Sequence, residues 1–261
     1  MENRRNNSQQ ASHPGGDTQF WQDERVQKYD YQQQLLSEKK EDVQANITRI
    51  VNYFCQLHSI GEPKILDVGC GPGTPMTLSS YILDRVPRSI LVGVDSSEQM
   101  VEAAKGILVP KYGNRFSSFV SDFNSDSFWM PEIDSKYDFI VSSGTLHYLS
   151  DKRTLPFMKE IFNHIKDRGV FVSCMGSHPT IQEIAEMVHL FRVEFTYNQL
   201  EEEKRPREFP EFKKIFEETD RKANVNWRSS KDWLGAIQSA GFRKVDIVWH
   251  LWVRSIYLAL A

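Results

Sequence analysis

The sequence predicts an α/β fold of three layers, in which helices cover both faces of a mostly parallel sheet. Short apolar runs alternate with helical patterns from residue 64 to residue 174, which is typical of βαβ units. Two further apolar runs, 244–249 and 253–260, close the chain with only a short connection between them. Because so short a connection joins antiparallel neighbours, we expect the sheet to end in an antiparallel strand pair.

The composition is that of a globular protein without an excess of positive charge. Of its 261 residues, 40% are hydrophobic and 26% are charged, and 35 acidic residues outnumber 32 Lys and Arg. Proteins that bind nucleic acids usually have a basic surface, so no nucleic-acid partner is expected. The three cysteines form no paired motif, and the sequence predicts neither a disulfide framework nor a metal site.

Two terminal stretches bear on the location of the protein. The first ten residues lack the apolar core of a secretory signal. The most apolar stretch, residues 245–261, is interrupted by His250 and Arg254 and is not expected to span a membrane. We therefore expect a cytoplasmic protein without a membrane partner, either a monomer or a homodimer.

The elements follow one another in a regular order. Residues 1–18 are rich in Asn, Gln, Ser, Gly and Pro and predict a disordered tail. Helices are expected across 19–60, the clearest of them from about residue 37 to residue 58, where apolar residues recur at helical spacing. Strands with helical patterns between them are predicted at residues 64–68, 90–94, 119–120, 137–141 and 170–174.

Residues 176–230 interrupt this alternation. They contain apolar helical material at 181–191 and 212–219, separated by a charged run at 201–208. The region is too long for a turn and too apolar for a linker, so it predicts a helical cap inserted before the last helix. Residues 231–261 are then expected to complete the core with that helix and the strand pair.

A glycine-rich loop follows the first predicted strand, in the run Asp67-Val-Gly-Cys-Gly-Pro-Gly73. Its glycines let a ligand approach the backbone where a helix begins and free N–H groups are exposed. Asp95 ends the second predicted strand, where a carboxylate can accept hydrogen bonds from both hydroxyls of a ribose. The pair predicts an adenosine-type ligand at the carboxyl ends of the first two strands.

The spacing of the loop indicates which ligand to expect. A dinucleotide-binding loop would place its third glycine at position 74, which is Thr74, and here it falls at Gly73. Asp67 would repel a pyrophosphate and suits the cationic amino group of a methionine moiety. A nicotinamide oxidoreductase is therefore the weaker alternative.

The motifs resemble, in their order, those of class I S-adenosylmethionine (SAM)-dependent methyltransferases. They are the loop itself, Gly93-Val-Asp-Ser-Ser-Glu-Gln-Met100, Ser121-Asp-Phe123 and Tyr137-Asp-Phe-Ile-Val-Ser-Ser-Gly-Thr-Leu-His-Tyr148. The resemblance covers residues 60–175 and implies a Rossmann-like sheet of seven strands with a late antiparallel strand. It implies SAM as the cofactor, S-adenosylhomocysteine as the product, and a SAM-binding core at 61–175 covered by the helices of 19–60.

The resemblance also implies a role for individual residues. The cofactor contacts would come from Asp67, Gly69, Gly71 and Gly73 for the methionine part, Asp95 for the ribose, Ser96, Met100, Asp122 and Phe123 for the adenine, and Ser142 and Ser143 for the methionine tail. Tyr29 and Tyr31 resemble the tyrosine that many members fold over the cofactor, and aromatic packing at the sheet edge is an equal alternative.

Methyl transfer requires alignment of the acceptor, and it requires a base only when the acceptor must lose a proton. His147, just past the fourth predicted strand, is the first candidate base, with support of the cofactor pocket as its alternative role. His178, after the fifth strand, is a second candidate. Arg192, Tyr197 and Trp227 are expected to line the cap, and His58 and His164 to be surface or packing residues.

The sequence as a whole predicts a SAM-dependent methyltransferase that acts on O, N or C of a small molecule. The fourth strand ends in Ser142-Ser-Gly-Thr145, which is unlike the Asn/Asp-Pro-Pro-Tyr motif of enzymes that methylate DNA amines or glutamine amides. Two alternatives stay open. One is a SAM-binding protein that does not methylate, such as a regulatory subunit or a non-methylating catalyst, and the other is a tRNA-modifying methyltransferase.

Overall fold

The computed structural model describes residues 29–37, 39–202, 205–206, 208–222 and 225–261. The predicted tail at 1–18 and the start of the predicted helical region at 19–28 lie outside these residues. The strands are β1 (Lys64–Val68), β2 (Ile90–Asp95), β3 (Phe116–Val120), β4 (Tyr137–Ser143), β5 (Ile165–Gly176), β6 (Lys244–Leu251) and β7 (Arg254–Leu260). The helices are α1 (Tyr29–Leu36), α2 (Lys40–Leu57), α3 (Leu78–Arg85), α4 (Glu98–Tyr112), α5 (Asp151–His164), α6 (Gln182–Gln199), α7 (Phe209–Lys222) and α8 (Ser230–Ala240).

The strands form one sheet in the order β3-β2-β1-β4-β5-β7-β6. Strands β1 to β5 pair in parallel, β7 runs antiparallel to β5, and β6 runs antiparallel to β7. The predicted fold class, including the antiparallel strand pair, is confirmed. The strand order reverses between β1 and β4, so the loops after these two strands diverge and leave a crevice at their carboxyl ends.

The central strands are apolar throughout because both of their faces are covered. All seven residues of β4 are buried. On one face Leu66 and Ile140 join a core that includes the fully buried Trp233 of α8. On the other face Ile65 joins a core that includes Ile47 of α2. The alternation of side chains along each strand therefore builds two cores, one under each helical layer.

Strands β3 and β5 are longer than the sequence predicts. Strand β5 starts at Ile165, and its pairing with β4 shifts register between Tyr137 and Phe139. The charged residues 166–168 are accommodated at this irregularity, where Arg168 has a φ of 65°. The polar run conceals the start of the strand in the sequence, because bulged residues need not follow the apolar pattern.

Helices α6 and α7 lie within residues 176–230 and pack against each other. Val193 of α6 contacts Phe212 and Phe216 of α7 in a separate small core. A bridge joins Ser177, just after β5, to Arg228, just before α8, and the indole N–H of Trp233 in α8 donates to the carbonyl of Gly176 at 2.9 Å. Among the helices of the described ranges, none has both the length and the apolar character needed to cross a bilayer.

Candidate active site

The loop after β1 follows a path that side chains would block. Gly69 has a φ of 77°, and a Cβ added there would lie 2.2 Å from Oγ1 of Thr145. Gly73 has a φ of 74°, and a Cβ there would lie 2.9 Å from the Cα of Ala104 in α4. The backbone N–H of Gly69 also donates to the carbonyl of Val94 in β2 at 2.7 Å. The glycines thus let the loop pack between the turn after β4 and helix α4.

Asp67 lies at the base of this loop with its side chain almost completely buried. Its Oδ2 accepts a hydrogen bond from the hydroxyl of Ser79 at 2.7 Å, whereas its Oδ1 is buried without a hydrogen-bond partner among the described residues. Burial raises the pKa of Asp67 to about 7, against the opposing effects of the Ser79 hydrogen bond and the Lys40 charge. An unsatisfied buried carboxylate oxygen is a place where a cationic ligand group would be stabilised.

Asp95 joins the loops that follow β1 and β2. Its Oδ2 accepts from the backbone N–H of Gly71 at 3.0 Å, and its Oδ1 accepts from that of Ser97 at 3.0 Å. Burial raises the pKa of Asp95, and the backbone hydrogen bonds counteract that rise. Each carboxylate oxygen can accept more than one hydrogen bond, so this geometry is compatible with the predicted contacts to ribose hydroxyls.

Tyr29 lies over the same loop. A Cβ added at Gly71 would be 3.4 Å from its phenolic oxygen. Burial raises the pKa of Tyr29 above its ordinary range, and the negative charges of Asp95 and Asp67 act in the same direction. Helix α1 is held there by a hydrogen bond from the hydroxyl of Thr74 to the carboxylate of Asp30. Tyr29 therefore closes the space between the two predicted cofactor carboxylates.

The other predicted cofactor residues lie at the carboxyl ends of β2, β3 and β4. Ser96 and Met100 flank the start of α4, and the backbone N–H of Met100 donates to the hydroxyl of the N-cap residue Ser97 at 3.3 Å. Asp122 accepts from the backbone N–H of Asn124 at 2.8 Å, and Phe123 is buried against Phe157.

The two serines that end β4 differ in their hydrogen bonding. The hydroxyl of Ser142 donates to the carbonyl of Val68 at 2.8 Å and thereby links β4 to β1. The hydroxyl of Ser143 is buried without a hydrogen-bond partner among the described residues. Ser143, like Asp67, therefore has a polar atom that a ligand could satisfy.

His147 lies in a short 3-10 turn, Leu146–Tyr148, directly after β4. Its Nδ1 accepts a hydrogen bond from the backbone N–H of Gly176 at 3.3 Å. Burial, together with the positive charges of Arg254, Lys40 and Arg192, lowers the pKa of His147 to about 3. The imidazole is therefore neutral at physiological pH.

Trp227 is held parallel to the ring of His147. The two ring centroids are 6.5 Å apart, with an interplanar angle of 5°. Both neighbours of Trp227 are anchored to the segment after β4: the backbone N–H of Asn226 donates to the carbonyl of His147 at 3.0 Å, and Arg228 pairs with Asp151 at 2.7 Å. This anchoring positions the aromatic face beside the turn.

A cavity of about 50 Å³ lies between the ends of β4 and β5, helix α6 and the start of β7. Inside it, the guanidinium carbon of Arg192 lies 5.2 Å from the centroid of the Trp227 ring. Its lining residues are Gly144, His147, Cys174, Met175, Gly176, Arg192, Trp227, Val253 and Arg254. Two of the three residues expected at the cap, Arg192 and Trp227, thus line this cavity.

The third, Tyr197, does not line this cavity. Its hydroxyl donates to the carbonyl of Pro206 at 3.0 Å, and its ring packs against Phe209 and Phe212 between the two cap helices. Tyr197 stabilises the cap itself, because its position in the second half of α6 faces α7.

The remaining histidines differ in their surroundings. His178 follows β5, bonds the carbonyl of Pro179 through Nδ1 at 3.0 Å, and lies 5.8 Å from the Trp227 ring. His164 stacks on Trp129 at a centroid distance of 3.5 Å, and His58 stacks on Phe54 at 5.8 Å. His178 is therefore near the cavity, and the other two have the packing role that the sequence predicts.

Two cations near the cavity were not found from the sequence. Lys40 is 4% exposed, and its ammonium group donates to the carbonyl of Ser143 at 3.4 Å. Burial and the charge of Arg254 lower its pKa to about 8. The apolar face of α2 includes Lys40, Val43 and Ile47. A lysine at helical spacing with apolar residues is a sequence pattern from which its burial could have been predicted. Arg254 begins an otherwise apolar final strand, and this position in the sequence could also have indicated a cation near the core.

Comparison with known proteins shows that the central part of the chain is similar to one family. Residues 65–169 match a family described as a methyltransferase domain. The chain is 26% identical over 142 residues to malonyl-[acyl-carrier protein] O-methyltransferase of Acetivibrio thermocellus, covering 54% of this chain and 46% of that protein. It is 35% identical over 88 residues to trans-aconitate 2-methyltransferase of Streptomyces coelicolor, covering 33% of this chain and 26% of that protein. In both relatives the match spans less than half of the protein's own length.

The solved structures support the fold. Human N-acetylserotonin methyltransferase in complex with SAM superposes with a TM-score of 0.54 at 16% identity, covering 91% of this chain and 55% of that one. At such identity the likeness concerns the path of the backbone alone. It agrees with the seven-stranded order described above.

Proposed function

We propose that this chain, in which residues 65–169 match a methyltransferase domain and the sheet has seven strands, transfers the methyl group of SAM to O, N or C of a small-molecule acceptor and releases S-adenosylhomocysteine. The observation that carries the proposal is the arrangement of Asp67, Asp95 and Tyr29 around one glycine loop. SAM is a sulfonium, and the methyl group bonded to its cationic sulfur is the group that is transferred.

The residues present fit this cofactor chemically. The buried Oδ1 of Asp67 would pair with the cationic amino group of the methionine part, which would lower the raised pKa of this carboxyl. Asp95 would hold the ribose, Asp122 and Phe123 would lie at the adenine, and Ser143 would offer a hydroxyl to the methionine tail. Tyr29 would cover the bound molecule and exclude water from it.

The acceptor end of the site is supported by the cavity beside His147. It lies at the carboxyl ends of β4 and β5, next to the predicted methionine subsite at Ser143, so an acceptor there would lie on the methyl side of the cofactor. The chain's role in the transfer is to align the acceptor with the methyl carbon and to exclude water. The cap helices α6 and α7 would provide that exclusion.

A small acceptor is favoured by two independent observations. The formal net charge of −3 gives no support to a nucleic-acid substrate. The Streptomyces coelicolor relative is named for trans-aconitate, which is a small molecule. A cytoplasmic location and the absence of a nucleic-acid or membrane partner are part of the same proposal.

The proposal is tested by incubating the purified chain with methyl-labelled SAM and a cell extract, then separating small molecules, RNA and protein. We expect label in the small-molecule fraction. Label in the RNA fraction would instead support a tRNA-modifying enzyme. SAM binding without label in any fraction would support a SAM-binding protein that does not methylate.

A further inference from the structure

We infer that the acceptor is a small organic acid that binds through a carboxylate between Arg192, Arg254 and His147, and that a carboxylate oxygen receives the methyl group. This inference rests on the proposed function and narrows its substrate class. It is carried by the charges, size and hydrogen bonds of the cavity beside the turn after β4.

Positive charge converges on this cavity from three elements that are distant in the sequence. Arg192 comes from α6 and Arg254 from the start of β7, and both line the cavity. Lys40 of α2 lies at its edge, since a Cβ added at the lining residue Gly144 would be 3.7 Å from the ammonium nitrogen. The charged groups that lower the pKa of His147 are these same three cations. An anionic group is the ligand that this field favours.

The cavity has the size of one head group. Its volume of about 50 Å³ exceeds the roughly 10–15 Å³ that one water molecule needs on the same measure, so a carboxylate group can enter it. The guanidinium carbon of Arg192 lies over the Trp227 ring at 5.2 Å and over the Phe216 ring at 5.6 Å, so aromatic contacts restrict its position. A planar guanidinium recognises a carboxylate through two parallel hydrogen bonds.

The hydrogen bond at Nδ1 determines what His147 can do for such a ligand. Because Nδ1 accepts from the N–H of Gly176, the neutral imidazole carries its proton on Nε2. In that tautomer both nitrogens are committed, one as an acceptor and the other as a donor. His147 is therefore suited to donate a hydrogen bond to an anion and unsuited to take a proton from a neutral acceptor.

An acceptor that is already ionised removes the need for a base. A carboxylate with an ordinary pKa near 4 is fully deprotonated at pH 7. Its oxygen attacks the methyl carbon, an O–CH₃ bond forms as the S–CH₃ bond breaks, and the bonding electron pair stays on sulfur. The anion and the sulfonium cation become a neutral ester and a neutral thioether, and no proton is released.

The nature of the product tests this inference. Methyl esters are hydrolysed by mild alkali to labelled methanol, whereas methyl groups on nitrogen, carbon or ether oxygen are stable. We expect alkali to release the label of the small-molecule fraction as volatile methanol. Alkali-stable label in that fraction would overturn the inference and leave the proposed function intact. SAM binding without any transferred label would overturn the proposed function itself.

The binding site is tested separately, without turnover. In the presence of S-adenosylhomocysteine, malonate, fumarate and benzoate are each compared with the corresponding amide for their effect on the melting temperature. We expect at least one acid to raise it and no amide to do so. An amide that stabilises the protein as well as its acid, or no effect from any acid, would contradict an anion site.

Matched variants assign the effect to the arginines. For Arg254→Gln and Arg192→Gln we expect the acid concentration needed for half-maximal stabilisation to rise about 10- to 100-fold, with SAM affinity unchanged. Arg254→Lys keeps the charge and should lose less, and Lys105→Gln, on the exposed face of α4, should lose nothing. Equal affinity for the acid in all four variants would exclude both arginines from the site.

Discussion

The carboxylate of Asp95, at the end of β2, accepts a hydrogen bond from the backbone N–H of Gly71, in the loop after β1, at 3.0 Å. One side chain therefore fixes the spacing of two loops that the sequence assigns to the methionine and ribose ends of one ligand. The same carboxylate raises the pKa of the Tyr29 phenol above them. Asp95 is thus linked to Gly71 by a hydrogen bond and to Tyr29 by its charge.

For Asp95→Ala we expect SAM affinity to fall by about 1–3 kcal/mol, because ribose hydroxyls and the Gly71 N–H would both lose an acceptor. Isothermal titration with SAM measures the change. Asp95→Asn, which retains an oxygen acceptor, should lose less. Unchanged affinity in a folded Asp95→Ala protein would contradict the ribose role.

SAM binding should depend on pH through Asp67. Its pKa of about 7 in the ligand-free protein means that the carboxylate is only partly ionised near neutral pH. Binding of a cationic amino group requires the ionised carboxylate, so affinity should rise from pH 6 to about pH 7.5, and it should fall at higher pH as the amino group, with an ordinary pKa of about 7.7–8.0, loses its proton. Titrations across this range test it, and in Asp67→Asn the rise should disappear. A wild-type affinity that is flat over the same range would contradict the contact.

Tyr29 and Tyr31 offer a matched pair. Tyr29 is half-buried over Gly71, whereas Tyr31 is 37% exposed. We expect Tyr29→Ala to weaken SAM binding about tenfold or more, through loss of a buried ring against the ligand, and Tyr31→Ala to have little effect. Equal losses in the two variants would indicate a general effect of helix α1 and not a cover over the site.

The charged form of Lys40 should lower the stability of the ligand-free protein, because the ammonium group is buried. Its pKa falls from 10.5 to about 8 on folding, so folding disfavours the charged form, and stability should increase as pH rises from 8 to 10.5. We expect Lys40→Met to raise the free energy of unfolding at pH 7 by about 1–3 kcal/mol, and by less at pH 10. Denaturant titrations at both values measure it, with the exposed Lys105→Met as control. A Lys40→Met protein that is less stable at pH 7 would show that the Ser143 hydrogen bond outweighs burial of the charge.

The pH dependence of the methyl-transfer rate should show no ionisation of His147 near pH 6.5. Its pKa of about 3 places its titration well below the assay range. We expect kcat at saturating SAM to be flat between pH 6 and pH 8, and His147→Gln to lower kcat without changing SAM affinity. An acidic limb near pH 6.5 that vanishes in His147→Gln would instead establish His147 as the general base first suggested by the sequence.

Most of the features that were predicted correctly from the sequence depend on local patterns of residues. The glycine loop and the strand endings at Asp67 and Asp95 are recognisable because each depends on a few adjacent residues. The fold class follows from the alternation of strands and helices and from the short connection between β6 and β7. These features do not depend on distant contacts.

The acceptor cavity could not be predicted in the same way. Lys40, His147, Arg192 and Arg254 are separated by more than 200 residues of chain at the extremes and meet only after the sheet has formed. A buried cation also has no periodic pattern of its own, because it replaces an apolar residue on an otherwise apolar face. The hydrogen bond that fixes the His147 tautomer joins the turn after β4 to the end of β5, and no local motif encodes it.

The central claim is tested most directly by counting products in one incubation. The purified chain is mixed with SAM and a small-molecule extract, and mass spectrometry quantifies S-adenosylhomocysteine against newly methylated compounds. We predict equal amounts of the two, formed by the wild-type chain and strongly reduced in Asp95→Ala. Saturation with SAM without S-adenosylhomocysteine above the enzyme-free control, in an extract that supplies many small molecules, would contradict methyl transfer as the function of this site.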